Sequence, residues 1–138
     1  MNAYNASSSE LNRRIDAWQH PRGRYVIKKG GRYYREYAQG YTDLRRAWRV
    51  PFEVAKDHEY RPKGCTDPVT IEKAPADDYC DDLNALQSAV SLIDSAALDR
   101  YVDLLYSTRE CSGWTRERVL LCAKPRARAE ALATVLGL

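Results

Sequence analysis

The sequence predicts a mixed α/β fold of the α+β type. Two strand-prone runs flank Gly30-Gly31, an amphipathic stretch covers residues 81–93, and an apolar run leads into Pro125 near the end of the chain. The first pattern is typical of a β-hairpin, the second of a helix on a core, and the third of a turn that enters a helix. A chain of 138 residues can bury one core without disulfides or metal, so we expect a single domain over residues 1–138.

The N-terminal segment predicts a short helix after a polar start. Residues 1–7 are small and polar, and we expect them to be disordered. Ser8 or Ser9 can then cap a helix, because a serine oxygen accepts from the unpaired backbone N–H groups of the first turn. The apolar face of this helix consists of Leu11, Ile15 and Trp18.

The stretch RYVIKKGGRYYREY predicts a β-hairpin that carries both aromatic rings and positive charge. Its tyrosines alternate with lysines and arginines. The rings can pair across the strands, which is a structural role, or they can form a surface that binds a partner. Both interpretations stay open. The candidate partner-binding residues are Arg24, Tyr25, Lys28, Arg32, Tyr33 and Arg35.

The middle of the chain predicts little regular structure. A turn of helix at 43–48 and a short strand at 52–55 precede a stretch punctuated by proline and glycine. We expect residues 56–76 to form a long loop that holds at most one short strand, at 69–72. His58 has no neighbours at a spacing typical of a metal site or a catalytic base, so we interpret it as a surface residue.

The C-terminal half has regular patterns. Residues 81–93 predict a helix with acidic residues at its start, where the helix dipole favours them. Residues 98–107 fit either a helix or a strand, and the local pattern does not decide between the two. The run ERVLLCAK predicts a strand, after which Pro125 begins a last helix that ends at Gly137.

Positive charge is concentrated in one part of the chain. Residues 10–50 contain eleven Lys or Arg and four Asp or Glu, whereas residues 51–138 contain eleven and fifteen. A basic region can attract nucleic acid, a phosphorylated small molecule or an acidic protein, or it can be a solvated face. Ten tyrosines and three tryptophans against one phenylalanine favour half-buried surfaces and stacking on bases.

The residue patterns do not favour catalysis or metal binding. The sequence has no glycine-rich phosphate loop, and neither His20 nor His58 has a context typical of nucleophilic catalysis. The four cysteines lack a Cys-x-x-Cys pair, so we expect reduced thiols, no metal and no cofactor. Paired aspartates at 77–78 and 81–82 precede a helix, which explains them without acid/base chemistry. We therefore expect a soluble, unexported protein that is not an enzyme and not in a membrane.

The start of the last helix is the candidate ligand site. Arg126 and Arg128 lie where the helix dipole is positive, although cations are stabilised at the opposite end. Unpaired N–H groups there attract phosphate, and the two arginines, with Lys124 of the turn, would strengthen that attraction. Alternatively, both guanidiniums pair with nearby acids such as Glu130 or the aspartates at 77–82. The sequence leaves both interpretations open.

Four segments together resemble a known family. They are SSELNRRIDAW, DDYCDDLNALQSAVSLI, RYVDLLYS and CAKPRARAEALATVLGL, in that order. This layout is similar to the phage ABA-sandwich domain family of small bacteriophage and prophage proteins. The resemblance covers both ends and the central helix and is weakest over 22–76. Lys124 departs from it, because the family often has Thr or Ser there, and many relatives lack the basic hairpin.

The resemblance implies a single three-layer α/β sandwich. In that fold an antiparallel sheet has flanking helices, the basic hairpin is an N-terminal extension, and RYVDLLYS is a strand. The resemblance also implies a phage or prophage origin and action in the host cytoplasm. Phage proteins of this size often counter host immunity, and some of comparable fold sequester nucleotide signals without cleaving them. Because fold does not fix function, that last step is an analogy.

Three functional hypotheses follow. The first is a non-enzymatic phage accessory protein that sequesters a cyclic or ADP-ribose-type nucleotide. Arg126, Arg128 and Lys124 would hold the phosphate, Tyr101 would stack on the base, and a homo-oligomer would complete each pocket. The second is an inhibitor of a host defence protein, or a nucleic-acid-binding module, that uses the basic hairpin in the manner of an anti-CRISPR protein. The third is a small phage protein whose basic face only confers solubility.

Overall fold

The computed structural model describes residues 4–64, 67–108 and 113–138. The chain forms two compact units, although the sequence predicts one domain. The first, here called the helical unit, comprises Met1–Gln19 and Ala76–Leu138; the second, the sheet unit, is His20–Pro75. The described residues contain six α-helices and one four-stranded antiparallel sheet, so the predicted mixed α/β class is confirmed.

The regular elements are as follows. The helices are α1 (Ser8–Gln19), α2 (Phe52–His58), α3 (Leu83–Val90), α4 (Ser95–Tyr106), α5 (Arg116–Cys122) and α6 (Pro125–Leu136). The strands are β1 (Tyr25–Lys29), β2 (Arg32–Tyr34), β3 (Tyr41–Thr42) and β4 (Val69–Lys73). Two single turns of 3-10 helix lie at Glu36–Ala38 and Leu44–Arg46. No helix of the described residues combines the length and apolar character needed to cross a bilayer.

The sheet unit contains every strand of the described residues, in the order β3-β2-β1-β4. The predicted hairpin is confirmed: β1 and β2 are antiparallel and are joined at Gly30 and Gly31, whose φ angles of +58° and +79° suit glycine. The predicted strand at 69–72 is also confirmed, as β4. It pairs with β1 so that Ile27 lies opposite Ile71.

One face of this sheet is covered by α2. The buried residues there are Ile27, Val50, Ala55 and Val69. The predicted strand at 52–55 is therefore wrong, since this segment is the first part of α2. Only Ala55 of the segment is buried, and a helix brings that small side chain against the sheet while Phe52 and Val54 stay exposed. The predicted loop at 56–76 accordingly contains the end of α2 as well as β4.

The helical unit has a separate core. Its largest fully buried side chains are Leu11, Ile15, Tyr79, Leu86, Leu105, Val119 and Leu132. The helix predicted after the polar start is confirmed as α1, which buries Leu11 and Ile15. The helix predicted over 81–93 is confirmed as the shorter α3, which follows Asp82; the Asp82 carboxylate caps it by accepting from two backbone N–H groups. The last helix is confirmed too, with Pro125 in its first turn and Gly137 at a φ of +71° after its end.

Two segments expected as strands are helices. The RYVDLLYS segment lies mostly in α4, which begins after Asp94 and buries Ala97, Tyr101 and Leu105 on one face. That face repeats every four residues, so it is helical and settles the ambiguity at 98–107 against the strand. Most of ERVLLCAK lies in α5, where only Val119 is buried. A strand of that run would have had to bury more of its apolar side chains.

The chain start and the cysteines complete the comparison. Of the expected disordered residues 1–7, the first three lie outside the described residues. Ala6 is buried in the core of the helical unit, which corrects the expectation for that part. Cys80 is a buried free thiol and Cys122 an exposed one, whereas the other two cysteines lie outside the described residues.

Candidate functional site

Arg126 binds other parts of the helical unit. Its Nε donates to Glu130 Oε1 at 2.7 Å, which forms an ion pair one helical turn along α6. Its Nη2 donates to the backbone oxygen of Ala6 at 2.6 Å, and its Nη1 to Ser8 Oγ at 3.0 Å. This side chain therefore fastens α6 to the start of α1.

Arg128 is buried, with 2% of its surface exposed. Its Nε donates to the backbone oxygen of Ala123 at 2.8 Å, and its Nη2 donates to that of Leu120. Both oxygens belong to the C-terminal end of α5, where carbonyls lack partners within the helix and where the dipole is negative. The Arg128 cation, which the dipole of α6 disfavours at the start of that helix, thus caps the C-terminal end of α5.

The other two residues of the predicted ligand site lie in different surroundings. Lys124 is exposed and immediately precedes α6, with no side-chain cap. Tyr101 is buried in α4; burial raises the pKa of its hydroxyl, and the neighbouring Arg128 cation partly opposes that shift. The guanidinium donors of Arg126 and Arg128 thus point to intrachain acceptors, and the stacking face proposed for Tyr101 is inside the core.

The structure divides the predicted hairpin surface between the two faces of the sheet. Because side chains alternate along a strand, Tyr25 and Arg32 lie on the face that packs on α2. Lys28 and Tyr33 are directly opposite each other on the other face. Arg24 immediately precedes β1 and is half-buried. Arg35 immediately follows β2 and is exposed.

The face with Lys28 and Tyr33 is partly neutralised by an acid. The Nζ of Lys28 lies 3.3 Å from Glu72 Oε1, and the Tyr33 hydroxyl donates to Glu72 Oε2 at 3.2 Å. Desolvation and this carboxylate raise the pKa of Tyr33. The Lys28 ammonium also lies 5.8 Å from the centre of the Tyr33 ring. These contacts are the cross-strand pairing that the sequence left open, so they give these two residues a structural role.

The face of the sheet that packs on α2 carries a continuous line of rings, here called the aromatic row. It consists of Tyr41, Tyr34, His58, Trp48 and Tyr37. Successive ring centres along this line are 5.6, 5.9, 5.8 and 5.9 Å apart. Two of the inner members, Tyr34 and Trp48, pack on the core of the sheet unit. The middle of the row is therefore held in place by packing on the core, and the two ends are Tyr41 and Tyr37.

Both ends of the aromatic row are open to solvent. Tyr37 is 71% exposed and Tyr41 is 46% exposed. Tyr37 and Ala38 have φ angles of +56° and +57°, which L residues adopt at a cost of about 1 kcal/mol or more. In this turn the Tyr37 ring lies beside Trp48, with the ring centres 5.9 Å apart.

The sheet unit that contains the aromatic row has a net positive charge. The sheet unit has 13 Lys or Arg and 7 Asp or Glu, a net charge of +6, while the remainder of the chain has a net charge of −3. Arg35 follows β2, and Arg45 and Arg46 lie in the 3-10 turn between β3 and α2; all three side chains are exposed. The aromatic row and these exposed cations thus belong to the same unit.

A cavity of about 280 Å³ lies at the hairpin turn beside this row. Its lining consists of Lys29, Gly30, Arg32, Tyr41 and Asp67. By strand alternation, the two cations and the tyrosine are on the same face as the aromatic row. Tyr41 belongs to both features, so the cavity continues directly into the row.

Sequence reasoning missed most of these residues. Only Arg32 and Arg35 were among the predicted partner-binding residues, and His58 was interpreted as a surface residue. The available signal was the clustering of aromatic and basic residues between 25 and 60. What brings them together is the pairing of β3 with β2 and the position of α2, and both are long-range features of the fold.

Comparisons of the chain with protein-family models, curated protein sequences and solved structures give no match. The residues and geometry described above are therefore the basis for what we propose about function.

Proposed function

We propose that this chain is a non-enzymatic binding protein that takes single-stranded nucleic acid on the sheet unit. The observation that carries the proposal is the aromatic row, whose ends Tyr37 and Tyr41 are exposed and belong to a unit that also has exposed arginines. Proteins that bind single strands combine aromatic platforms with a positively charged path for the backbone. The sheet unit carries both exposed rings and exposed cations.

The physical argument has two parts. An exposed tyrosine ring can stack on a base of any identity, which contributes about 1–3 kcal/mol per base. Arg35, Arg45 and Arg46 are exposed cations of the same unit, and in the proposal they bind the phosphates of the strand. Duplex DNA does not present its base faces, so the row suits a single strand.

The contacts of α6 favour a structural role for its arginines. Arg126 and Arg128 donate to acceptors within the helical unit, which supports a role in holding α1, α5 and α6 together. A phosphate would have to compete with these bonds. For this reason we assign nucleic-acid recognition to the sheet unit instead of to the start of α6.

The resemblance to phage proteins supplies a biological setting for the proposal. A phage-encoded protein of this kind would act in the host cytoplasm against a defence complex, by occupying the nucleic acid that the complex uses or by contacting the complex itself. The exposed basic residues of the sheet unit support either kind of contact, and the outcomes given below separate the two.

The test is a binding measurement on the full chain. Fluorescence anisotropy would follow a labelled oligothymidylate of about 12 nucleotides at about 50 and about 200 mM salt. We expect saturable binding that weakens steeply with salt, because each phosphate contact releases counterions. The double variant Tyr37→Ala, Tyr41→Ala should bind at least about fivefold more weakly, as the loss of about 1 kcal/mol or more of stacking requires.

The control variant is Tyr106→Ala. Tyr106 has the same exposed fraction as Tyr41, 46%, but belongs to α4 in the helical unit. It should leave the affinity unchanged. Absence of binding at the lower salt concentration, or equal affinity of the double variant and the parent, would rule out this function. If the chain binds no oligonucleotide but retains a host defence protein in a pull-down from host lysate, the result would instead support direct protein contact.

A further inference from the structure

The cavity at the hairpin turn has an unusual mixture of charges. Lys29 and Arg32 bring two cations, and Asp67 brings a carboxylate, all within a space of about 280 Å³. Among residues 4–64, 67–108 and 113–138, the side chains of these three residues make no hydrogen bond or ion pair. Within the described part of the chain, nothing competes with a molecule in the cavity for the polar groups of these three side chains.

Gly30 determines where the Asp67 carboxylate lies. A Cβ atom at Gly30 would be 2.7 Å from Asp67 Oδ1 and 3.0 Å from Oδ2, which is too close for a real side chain. The carboxylate therefore packs directly on the glycine, at the wall of the cavity. The neighbouring Gly31 has an equally left-handed φ of +79°, but a Cβ there would meet nothing within 4 Å.

A simple phosphate site does not account for this lining. A carboxylate repels phosphate, so an ordinary anion site would not place Asp67 beside the two cations. A nucleotide, in contrast, has an anionic end and a base edge that donates hydrogen bonds. The cavity size is near the lower limit of small-ligand pockets, which suits one nucleotide better than a larger molecule.

The four bases differ in the hydrogen-bonding groups that they would present to the Asp67 carboxylate. Guanine presents two adjacent donors, N1–H and the exocyclic amino group, which match the two oxygens of a carboxylate. Adenine and cytosine present one amino donor next to a ring acceptor, and thymine presents one N–H between two carbonyl oxygens. Opposite an ionised carboxylate, guanine alone makes two parallel hydrogen bonds.

We infer that this cavity is a guanine-selective subsite of the proposed nucleic-acid surface. Asp67 accepts from the guanine edge, Tyr41 stacks on the base, and Lys29 and Arg32 bind the adjoining phosphates. The inference rests on the proposed function, because Tyr41 belongs to the aromatic row as well as to the cavity. It adds base selectivity to a surface whose other rings stack on any base.

The test compares strands that differ at one base. Anisotropy would be measured with all-thymine strands of about 12 nucleotides and with strands carrying one central guanine, adenine or cytosine. We expect the guanine strand to bind about tenfold more tightly than the all-thymine strand, as a bidentate base contact gives. In Asp67→Asn, whose amide offers a single acceptor oxygen, that preference should fall to about twofold or less. The loss of a carboxylate that repels phosphate should at the same time strengthen binding of the all-thymine strand.

Two glycine variants provide the matched control. Gly30→Ala must displace the Asp67 carboxylate and should lose the guanine preference, whereas Gly31→Ala carries a similar backbone strain without that clash and should keep it. If Gly30→Ala does not fold, Asp67→Asn still tests whether the Asp67 carboxylate gives the guanine preference.

The outcomes separate the two proposals. Binding of all four strands with equal affinity would overturn the subsite and leave the proposed function intact. Binding of none would overturn both. A guanine preference that survives Asp67→Asn would overturn the role of Asp67 and with it the inference.

Discussion

Replacing Arg128 by methionine should lower the free energy of unfolding by about 3 kcal/mol. The guanidinium is buried and donates to two carbonyl oxygens at the end of α5, those of Leu120 and Ala123. Hydrogen bonds to a charged group each contribute about 1.5–3 kcal/mol, and the variant also leaves two carbonyls without these donors. Relief of the buried charge offsets part of that loss, while methionine preserves most of the packing of the side-chain stem.

The assay is urea denaturation followed by far-ultraviolet circular dichroism. A loss of about 3 kcal/mol should lower the midpoint at unchanged slope and reduce Tm by about 10 °C for a chain of this size. The control is Arg116→Met, because Arg116 pairs with Asp103 across a surface where the two side chains are 65% and 63% exposed. Exposed pairs contribute about 0–1 kcal/mol, so this variant should stay near the parent. Equal stability of Arg128→Met and Arg116→Met would refute the capping role of Arg128.

Three further predictions concern strain, thiol access and pH. Ala38→Gly should raise the free energy of unfolding by about 1 kcal/mol, since glycine adopts the φ of +57° without strain; a lower Tm would contradict this. Burial raises the pKa of the Cys80 thiol, so iodoacetamide should alkylate exposed Cys122 well before Cys80, and equal rates by peptide mass spectrometry would be inconsistent with the core. The guanidiniums of Arg13 and Arg14 lower the pKa of Glu10 from 4.5 to about 2. Its contribution to stability is therefore present above pH 4.5 and is lost as the pH falls toward 2, and carboxyl NMR titration of Arg13→Ala should show a higher Glu10 pKa.

Elements fixed by local chemistry were predictable from the sequence. Gly30-Gly31 required a turn with positive φ, Asp82 supplied an N-cap, and Pro125 together with Gly137 delimited the last helix. In each case the residue that decides the conformation lies within the element or next to it. The same reasoning failed where neighbours far along the chain decide the conformation.

The segment ERVLLC shows why the failures occurred. A short apolar run has no periodicity that distinguishes a buried strand from a helix, and this run became α5 with Leu121 79% exposed. The hydrogen bonds of Arg128 could not be foreseen for the same reason, because its acceptors are the carbonyls of a helix expected to be a strand. The sequence showed that a cation was out of place at the start of α6, but not that α5 ended beside it.

The sequence predicted only part of the candidate site. Composition indicated a basic, tyrosine-rich region, and that interpretation agrees with the net charge of +6 on the sheet unit. The alternation of strands then divided the predicted residues between two faces. The rings of His58 and Trp48 joined the site through the packing of α2, which local pattern had placed in a strand and a loop.

Photochemical cross-linking of a single-stranded oligonucleotide to the full chain tests the central claim most directly. Ultraviolet irradiation followed by peptide mass spectrometry reports which rings touch the bases. The proposal predicts adducts on the peptides that contain Tyr37 and Tyr41, and their loss in the double alanine variant. Adducts confined to the helical unit, on peptides around Tyr101 or Arg126, would contradict it and would return the ligand to the start of α6.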